Sequence, residues 1–189
     1  MPQVDRKDFC MDNQQPYPLP ENEARRLQAL YTYAIMDTLP EAVFDDVVAL
    51  ASSICGTPIA LISLLDSDRQ WFKAKVGIEV EQTARSEAFC SHAIMHPEDV
   101  FVVPDAERDE RFKCNPLVEG EPHIRFYAGA SILTPDGYAL GTVCAIDREP
   151  RELTHSQQTS LALLARLVGH LLDSRWVWRE ETGGASTAG

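Results

Sequence analysis

Between Ile124 and Asp147 the chain runs I-R-F-Y-A-G-A-S-I-L-T-P-D-G-Y-A-L-G-T-V-C-A-I-D. Two apolar, β-rich runs flank Thr134-Pro135-Asp136-Gly137, where Pro suits the second position of a type I turn and Gly the fourth, so a hairpin is predicted. Neither strand alternates with polar residues. Phe126, Ala128, Ala130 and Ile132 share one face and Tyr127, Gly129, Ser131 and Leu133 the other, while Leu140, Thr142, Cys144 and Ile146 alternate with Ala139, Gly141, Val143 and Ala145. A strand with one wet face would carry a polar residue at every second place, so this hairpin belongs in the middle of a sheet covered on both sides. Periodicity leaves open which set faces which cover, but only one of Phe126 and Tyr127 can line a pocket.

The pattern elsewhere supplies the covers. Leu27, Leu30, Tyr31, Ala34 and Ile35 follow helical spacing from Glu21 onward. Thr38-Leu39-Pro40-Glu41 has capping-box form and predicts a second helix with Phe44, Val47, Val48, Ala51 and Ile54 inward, stopped by Gly56 and Pro58. Ile59–Leu65 reads as a buried strand and Gln70–Val76 as its hairpin partner. In the latter, Trp71, Lys73 and Lys75 alternate with Phe72, Ala74 and Val76, which suggests the wet face of an edge strand. Gly77 to Arg85 reads as a polar loop, Ser86 to Ile94 as a short helix and Val100 to Val103 as a strand. Some twenty residues from Pro104 to His123 lack periodicity yet contain Phe112, Leu117 and Val118, the signature of a packed loop and a candidate pocket lid. A second capping box, Thr154-His155-Ser156-Gln157, opens a long last helix ending near Arg179. Leu163, Leu167 and Val177 lie outside its main apolar stripe, more surface than one intramolecular contact needs, so a dimer seam through the terminal helices is expected. The order predicts a disordered N-terminal arm over 1–20, one domain over 21–179, and a small polar tail over 180–189.

Composition narrows the function. Of 189 residues 44% are hydrophobic and 24% charged, an ordinary globular balance, and 29 acids against 17 bases give a net charge of −12. A phosphate backbone would be repelled, so no nucleic-acid partner is expected. The start has no apolar signal region, and Arg166 and His170 interrupt the apolar stretch of the last helix, so neither membrane insertion nor secretion is expected and the location is read as cytoplasmic. The five cysteines are widely spaced without a Cys-x-x-Cys pair, which argues for reduced thiols rather than a disulfide framework or zinc ribbon.

Several runs together resemble the GAF domains of bacterial sensory proteins: Asp37-Thr38-Leu39-Pro40-Glu41, the F-C-x-H-x-I of Phe89 to Ile94, Val103-Pro104-Asp105-Ala106, Asp109-Glu110-Arg111-Phe112 with Asn115-Pro116-Leu117-Val118, Ile124 to Ala130, and Leu140 to Arg148. The resemblance implies an α+β fold of GAF/PAS-like type. A central antiparallel sheet of five or six strands would carry a helix bundle on one face and, on the other, a small-molecule pocket under loops and short helices. It also implies a sensory function without catalysis, in which ligand occupancy passes through the terminal helices to a homodimer mate or a signalling output protein. The ligand-binding residues so implied are Phe89, Cys90, His92, Asp105, Phe112, Arg125, Tyr127 and Cys144; the ligand and any cofactor are left unidentified.

The residues permit other readings. Cys90, His92 and Cys144 could converge for thiol, metal or chromophore chemistry, while small buried cysteines also simply fill space. His92 and His96 have i, i+4 spacing, but Pro97 ends the helix and no third ligand is suitably placed. Bilin-binding relatives commonly attach pigment at a Cys-His pair, and Cys90-Ser91 and Cys114-Asn115 do not provide one. A thiol-dependent enzyme similar to the free methionine sulfoxide reductases, or a ligand-free dimerisation scaffold, are the alternatives. Asp105, Asp109, Arg111 and Arg125 could orient a ligand or pair with one another to hold the lid.

Overall fold

The computed structural model describes residues 17–183; the expected N-terminal arm and C-terminal tail lie largely outside them. The chain forms α1 (Glu23–Thr32), α2 (Ala42–Cys55), β1 (Ile59–Leu65), β2 (Arg69–Val76), β3 (Gln82–Ala84), a 3-10 turn (Arg85–Glu87), α3 (Cys90–Ala93), β4 (Phe101–Val103), α4 (Pro116–Glu119), β5 (Phe126–Leu133), β6 (Ala139–Asp147) and α5 (His155–Gly183). The six strands make one antiparallel sheet in the order β3-β2-β1-β6-β5-β4. The β5–β6 hairpin is central and turns where expected, with the Gly137 N–H donating to Thr134 O across 2.9 Å and Gly137 at φ +82°. All of β6 is buried, and β5 is buried up to Leu133.

Each sheet face has its own apolar core. Phe126, Ala128, Ala130, Ile132, Val143 and Ala145 meet α1, α2 and α5 through Leu30, Phe44, Val48, Leu161 and Val168. Tyr127, Cys144 and Ile146 point the other way, toward Phe89, Phe112, Val118 and Ile124. So Phe126 belongs to the helix side and Tyr127 to the lid side. One residue breaks the expected alternation: Leu140 joins Val143 on the helix side while Ala139 turns to the lid. The pairing shifts there, from Ile132↔Gly141 to Leu133↔Ala139, so Leu140 is a bulge that switches the parity of the strand end.

A second bulge corrects the reading of β2. Register passes from Ile62↔Ala74 to Ser63↔Phe72, leaving Lys73 without a partner on β1, and β3 covers the far side of β2. Gly77 to Arg85 is therefore not all loop, and β2 is not an edge. Lys73 is fully buried on the helix side, where its ammonium lies 5.2 Å from the Phe44 ring centroid and donates to Glu41 Oε1 (2.7 Å), Leu39 O (2.7 Å) and Thr38 Oγ1 (2.9 Å). These contacts also dismantle the first expected capping box. Glu41 is spent on Lys73 and Arg175, Thr38 Oγ1 donates to Ile35 O, and α2 begins later, after Glu41. The second capping box forms as read: Gln157 N–H donates to Thr154 Oγ1 (3.3 Å) and Thr154 N–H to Gln157 Oε1 (2.9 Å). The helix it starts continues to Gly183, beyond the expected end.

A buried charge cluster ties α1 to the strand ends. Arg26 and Arg85, each 1% exposed, share Glu23. Arg26 also donates to Leu65 O and Ala139 O, and Arg85 to Asp66 O, so one carboxylate and three carbonyls hold α1 over β1 and β6. Burial works against ionised Glu23, but its bonds to both guanidinium groups prevail and hold the carboxyl at about 2.

Candidate functional site

The site lies between the lid-side sheet face and the segment from Ile78 to Ile124. Strands β1, β2, β5 and β6 supply a floor that includes Leu61, Phe72, Tyr127, Cys144 and Ile146, and the roof includes Phe89, Cys90, Leu117, Pro122 and Ile124. The cavity is narrow, with room for about two water molecules. No charged side chain lines it among the described residues.

Its polar centre is a thiol among hydroxyls. Cys90 stands at the first turn of α3, and its Sγ lies 3.2 Å from Ser63 Oγ, 3.1 Å from Tyr127 Oη and 2.9 Å from Thr142 Oγ1. Cys144 opens on the same cavity, two residues beyond Thr142 on β6. Burial raises the cost of a thiolate, yet the hydrogen bonds from Cys144, Ser63, Thr142 and Tyr127 outweigh it and bring Cys90 down to about 7. Cys144 is driven the other way, well above the ordinary thiol range, by its bond to Cys90 and by burial. The Tyr127 hydroxyl also rises, first through burial and then through the two neighbouring sulfurs. Gly129 makes this arrangement possible. A Cβ there would stand 2.2 Å from Tyr127 Oη and 2.8 Å from its Cζ, so the ring lies back over its own strand only because residue 129 has no side chain.

The lid is an aromatic stack. Phe89 lies parallel to Phe112 at 4.0 Å and to Tyr127 at 5.2 Å, His92 meets Phe112 edge-on at 4.8 Å, and the Arg111 guanidinium sits 4.8 Å from the Phe101 ring and 5.3 Å from Phe112. Burial, and secondarily the Arg111 charge, push His92 down to about 4, so this imidazole is neutral near pH 7.

Of the residues the sequence singled out, Phe89, Cys90, Tyr127 and Cys144 meet at the cavity. Phe112 and His92 stand behind Phe89 in the stack and do not line it. Asp105 pairs with Arg108, and Arg125 pairs with Glu107 while donating to Val118 O and Ile124 O, so both brace the lid from outside. Asp109 takes a two-pronged bond from Arg111, at 2.9 and 2.6 Å, which serves the same end. Ser63, Gln70, Thr83 and Thr142 were not singled out as site residues. The available signal was a lone hydroxyl inside an otherwise apolar buried strand, Ser63 in I-A-L-I-S-L-L and Thr142 in L-G-T-V-C. Cys55, Cys90 and Cys144 are free thiols. Cys114 is instead disulfide-bonded, against the expectation of reduced thiols. No group of three potential metal ligands occurs among the described residues, and no helix is long and apolar enough to cross a membrane.

A central antiparallel hairpin, helices from both ends of the domain behind it and a lidded cavity in front define an α+β domain built on one six-stranded sheet. The particular family follows from sequence: the GAF domain pattern matches residues 39–172, and the chain belongs to that family. A cyclic di-GMP phosphodiesterase of Pseudomonas aeruginosa is 46% identical over 152 residues, which cover 80% of this chain and 26% of that protein. The chain thus spans about a quarter of that relative's length. Among solved structures, the GAF domain of an Acinetobacter phosphoenolpyruvate-protein phosphotransferase superposes with TM-score 0.59 at 16% identity, covering 82% of this chain and 95% of that one. The blue-light-absorbing PixJ GAF domain of Thermosynechococcus elongatus gives TM-score 0.59 at 15% identity, covering 89% and 97%. At these identities the likeness is one of fold.

Proposed function

We propose that the chain is a sensory input domain that binds a small, uncharged molecule under the lid and passes occupancy through α5 to a dimer mate or an output module. The observation that carries the reading is a cavity enclosed by a braced lid on one side of a sheet whose other side is packed against α5. A ligand that enters must lift the aromatic stack, and the strands it touches are those on which α5 rests. The 46% identical relative is a phosphodiesterase most of whose length lies outside the match, which supports an input role beside a separate output. Cyclic di-GMP itself is a poor candidate for this cavity. Its phosphates would meet no cation among the described residues that line the wall, and a buried unpaired charge is costly. Val43, Leu50 and Ile54 on α2 and Leu163, Leu167 and Val177 on α5 are exposed apolar residues that fit a dimer seam.

The test is native mass spectrometry of the purified protein beside its absorption spectrum, followed by a thermal-shift screen of uncharged metabolites. A retained adduct lost on denaturation, or a stabilising metabolite whose effect disappears in Phe89→Ala, is the expected result. An empty protein that no metabolite stabilises favours a dimerisation scaffold instead.

A further inference from the structure

We propose that Cys90 and Cys144 form a peroxide-reactive dithiol whose oxidation staples the lid to the centre of the sheet. Both thiols open on the one cavity, and Cys90 Sγ lies 2.9 Å from Thr142 Oγ1, two residues before Cys144 on β6, yet they sit on different layers, Cys90 on α3 of the roof and Cys144 on β6 of the floor. Three hydroxyls, from Ser63, Tyr127 and Thr142, converge on the Cys90 sulfur within 3.2 Å. A neutral thiol needs at most one or two such partners, whereas a thiolate accepts all of them, so the arrangement fits a nucleophilic sulfur rather than a filler. Cys55 supplies the contrast inside the same protein. It is equally free but lies in the helix-side core, where burial alone pushes its thiol up.

The cavity sets the class of oxidant. Room for about two water molecules admits hydrogen peroxide and excludes a disulfide peptide. The Cys90 thiolate attacks one peroxide oxygen, the O–O bond breaks as the S–O bond forms, and the departing hydroxide takes up the proton released from the thiol to leave water. The Cys144 sulfur then attacks the Cys90 sulfenic acid, an S–S bond replaces the S–O bond, and the second water leaves. Two thiols have lost two electrons and one peroxide has become two waters. Because the bond joins α3 to β6, the Cys90 sulfur ceases to be the shared acceptor for Ser63, Tyr127 and Thr142, and the cavity wall is rebuilt. The inference uses the cavity as an access route and does not depend on a resident ligand.

The experiment treats the folded protein with a small excess of hydrogen peroxide, quenches by alkylation and maps the peptides. The expected product is a Cys90–Cys144 linked pair lighter by two hydrogens, lost when dithiothreitol is added to the digested peptides, and formed at least about tenfold faster than any oxidation of Cys55. Cys144→Ala should leave Cys90 as a sulfenic acid trapped by dimedone, and Cys144→Ser provides the same reading if the alanine variant is unstable. Glutathione disulfide should leave the pair intact in the same time. Recovery of both thiols after peroxide, or equal reaction of Cys55, overturns the dithiol; equal reaction with glutathione disulfide overturns entry through the cavity. Native mass spectrometry of the same sample reports the ligand separately, so failure of either proposal is distinguishable from failure of the other.

Discussion

At the scale of single residues, two positions carry more than their size suggests. Gly129 gives up its side chain to the Tyr127 ring, so Gly129→Ala should displace that ring, break its bonds to Cys90 and Thr142, and destabilise the fold by about 1–3 kcal/mol, as overpacking does. Urea unfolding measures this. The specific check is the double variant with Tyr127→Ala, in which the added methyl should cost nothing further; an undiminished cost would mean that the strain lies elsewhere. Among the described residues, Glu23 is the one carboxylate shared by the buried Arg26 and Arg85. Glu23→Gln leaves two buried cations short of their partner and should cost about 3–5 kcal/mol at neutral pH. Its acid behaviour has a definite sign. The folded carboxyl titrates at about 2 against an ordinary 4.5, so the unfolded chain takes the proton first as pH falls. The stability Glu23 supplies is complete above pH 4.5 and declines toward pH 2, and the gap between parent and variant should close over that window. His92 acts in a higher one. Its folded value of about 4 lies below the ordinary 6.5, so it lowers stability as pH drops from 6.5 to 4, and His92→Gln should flatten that limb in urea midpoints measured against pH.

At the scale of elements, the contrast between the two capping boxes is instructive. Thr154 and Gln157 bond each other reciprocally at the start of α5, so Thr154→Ala should cost about 1 kcal/mol, seen as a lower urea midpoint with an unchanged slope. Thr38 and Glu41 have the same spacing, yet Lys73, from a strand more than thirty residues away, takes both side chains. Thr38→Ala should therefore leave α2 helicity in circular dichroism unchanged. Local pattern was enough where the partners are local: the β5–β6 hairpin, its double burial, the α5 start and the packed loop around Phe112 are all legible in the chain. It failed where one strand borrows a residue, because a bulge at Lys73 or Leu140 inverts the face of everything beyond it and leaves no trace in the hydrophobic pattern. The candidate site divides the same way. Phe89, Cys90, Tyr127 and Cys144 were readable because two central strands and one short helix had to face each other, whereas Arg125 meets Glu107 only in the folded lid and Asp105 turns to Arg108, three residues on, rather than to the cavity.

At the scale of the whole molecule, α5 is both part of the core and an unfinished surface. Leu161, Leu164, Val168 and Leu172 are buried against the sheet, while Leu163 and Leu167 remain 48% and 45% exposed about one turn apart, and α2 beside it exposes Leu50 at 51%. Burying a leucine is worth about 1.5–3 kcal/mol, so several such residues meeting a second copy can offset much of the cost of association. If this face is the dimer seam through which occupancy is passed, Leu163→Glu with Leu167→Glu should shift sedimentation from dimer to monomer at tens of micromolar, roughly, without lowering the stability of the isolated domain, since neither residue is part of its core. The charge of −12 works against self-association, so the dimer should also tighten with added salt as that repulsion is screened. A parent protein that sediments as a monomer at every salt concentration would assign the exposed leucines to a different partner, and the signal from the lid would then leave the domain along α5 to a dissimilar output.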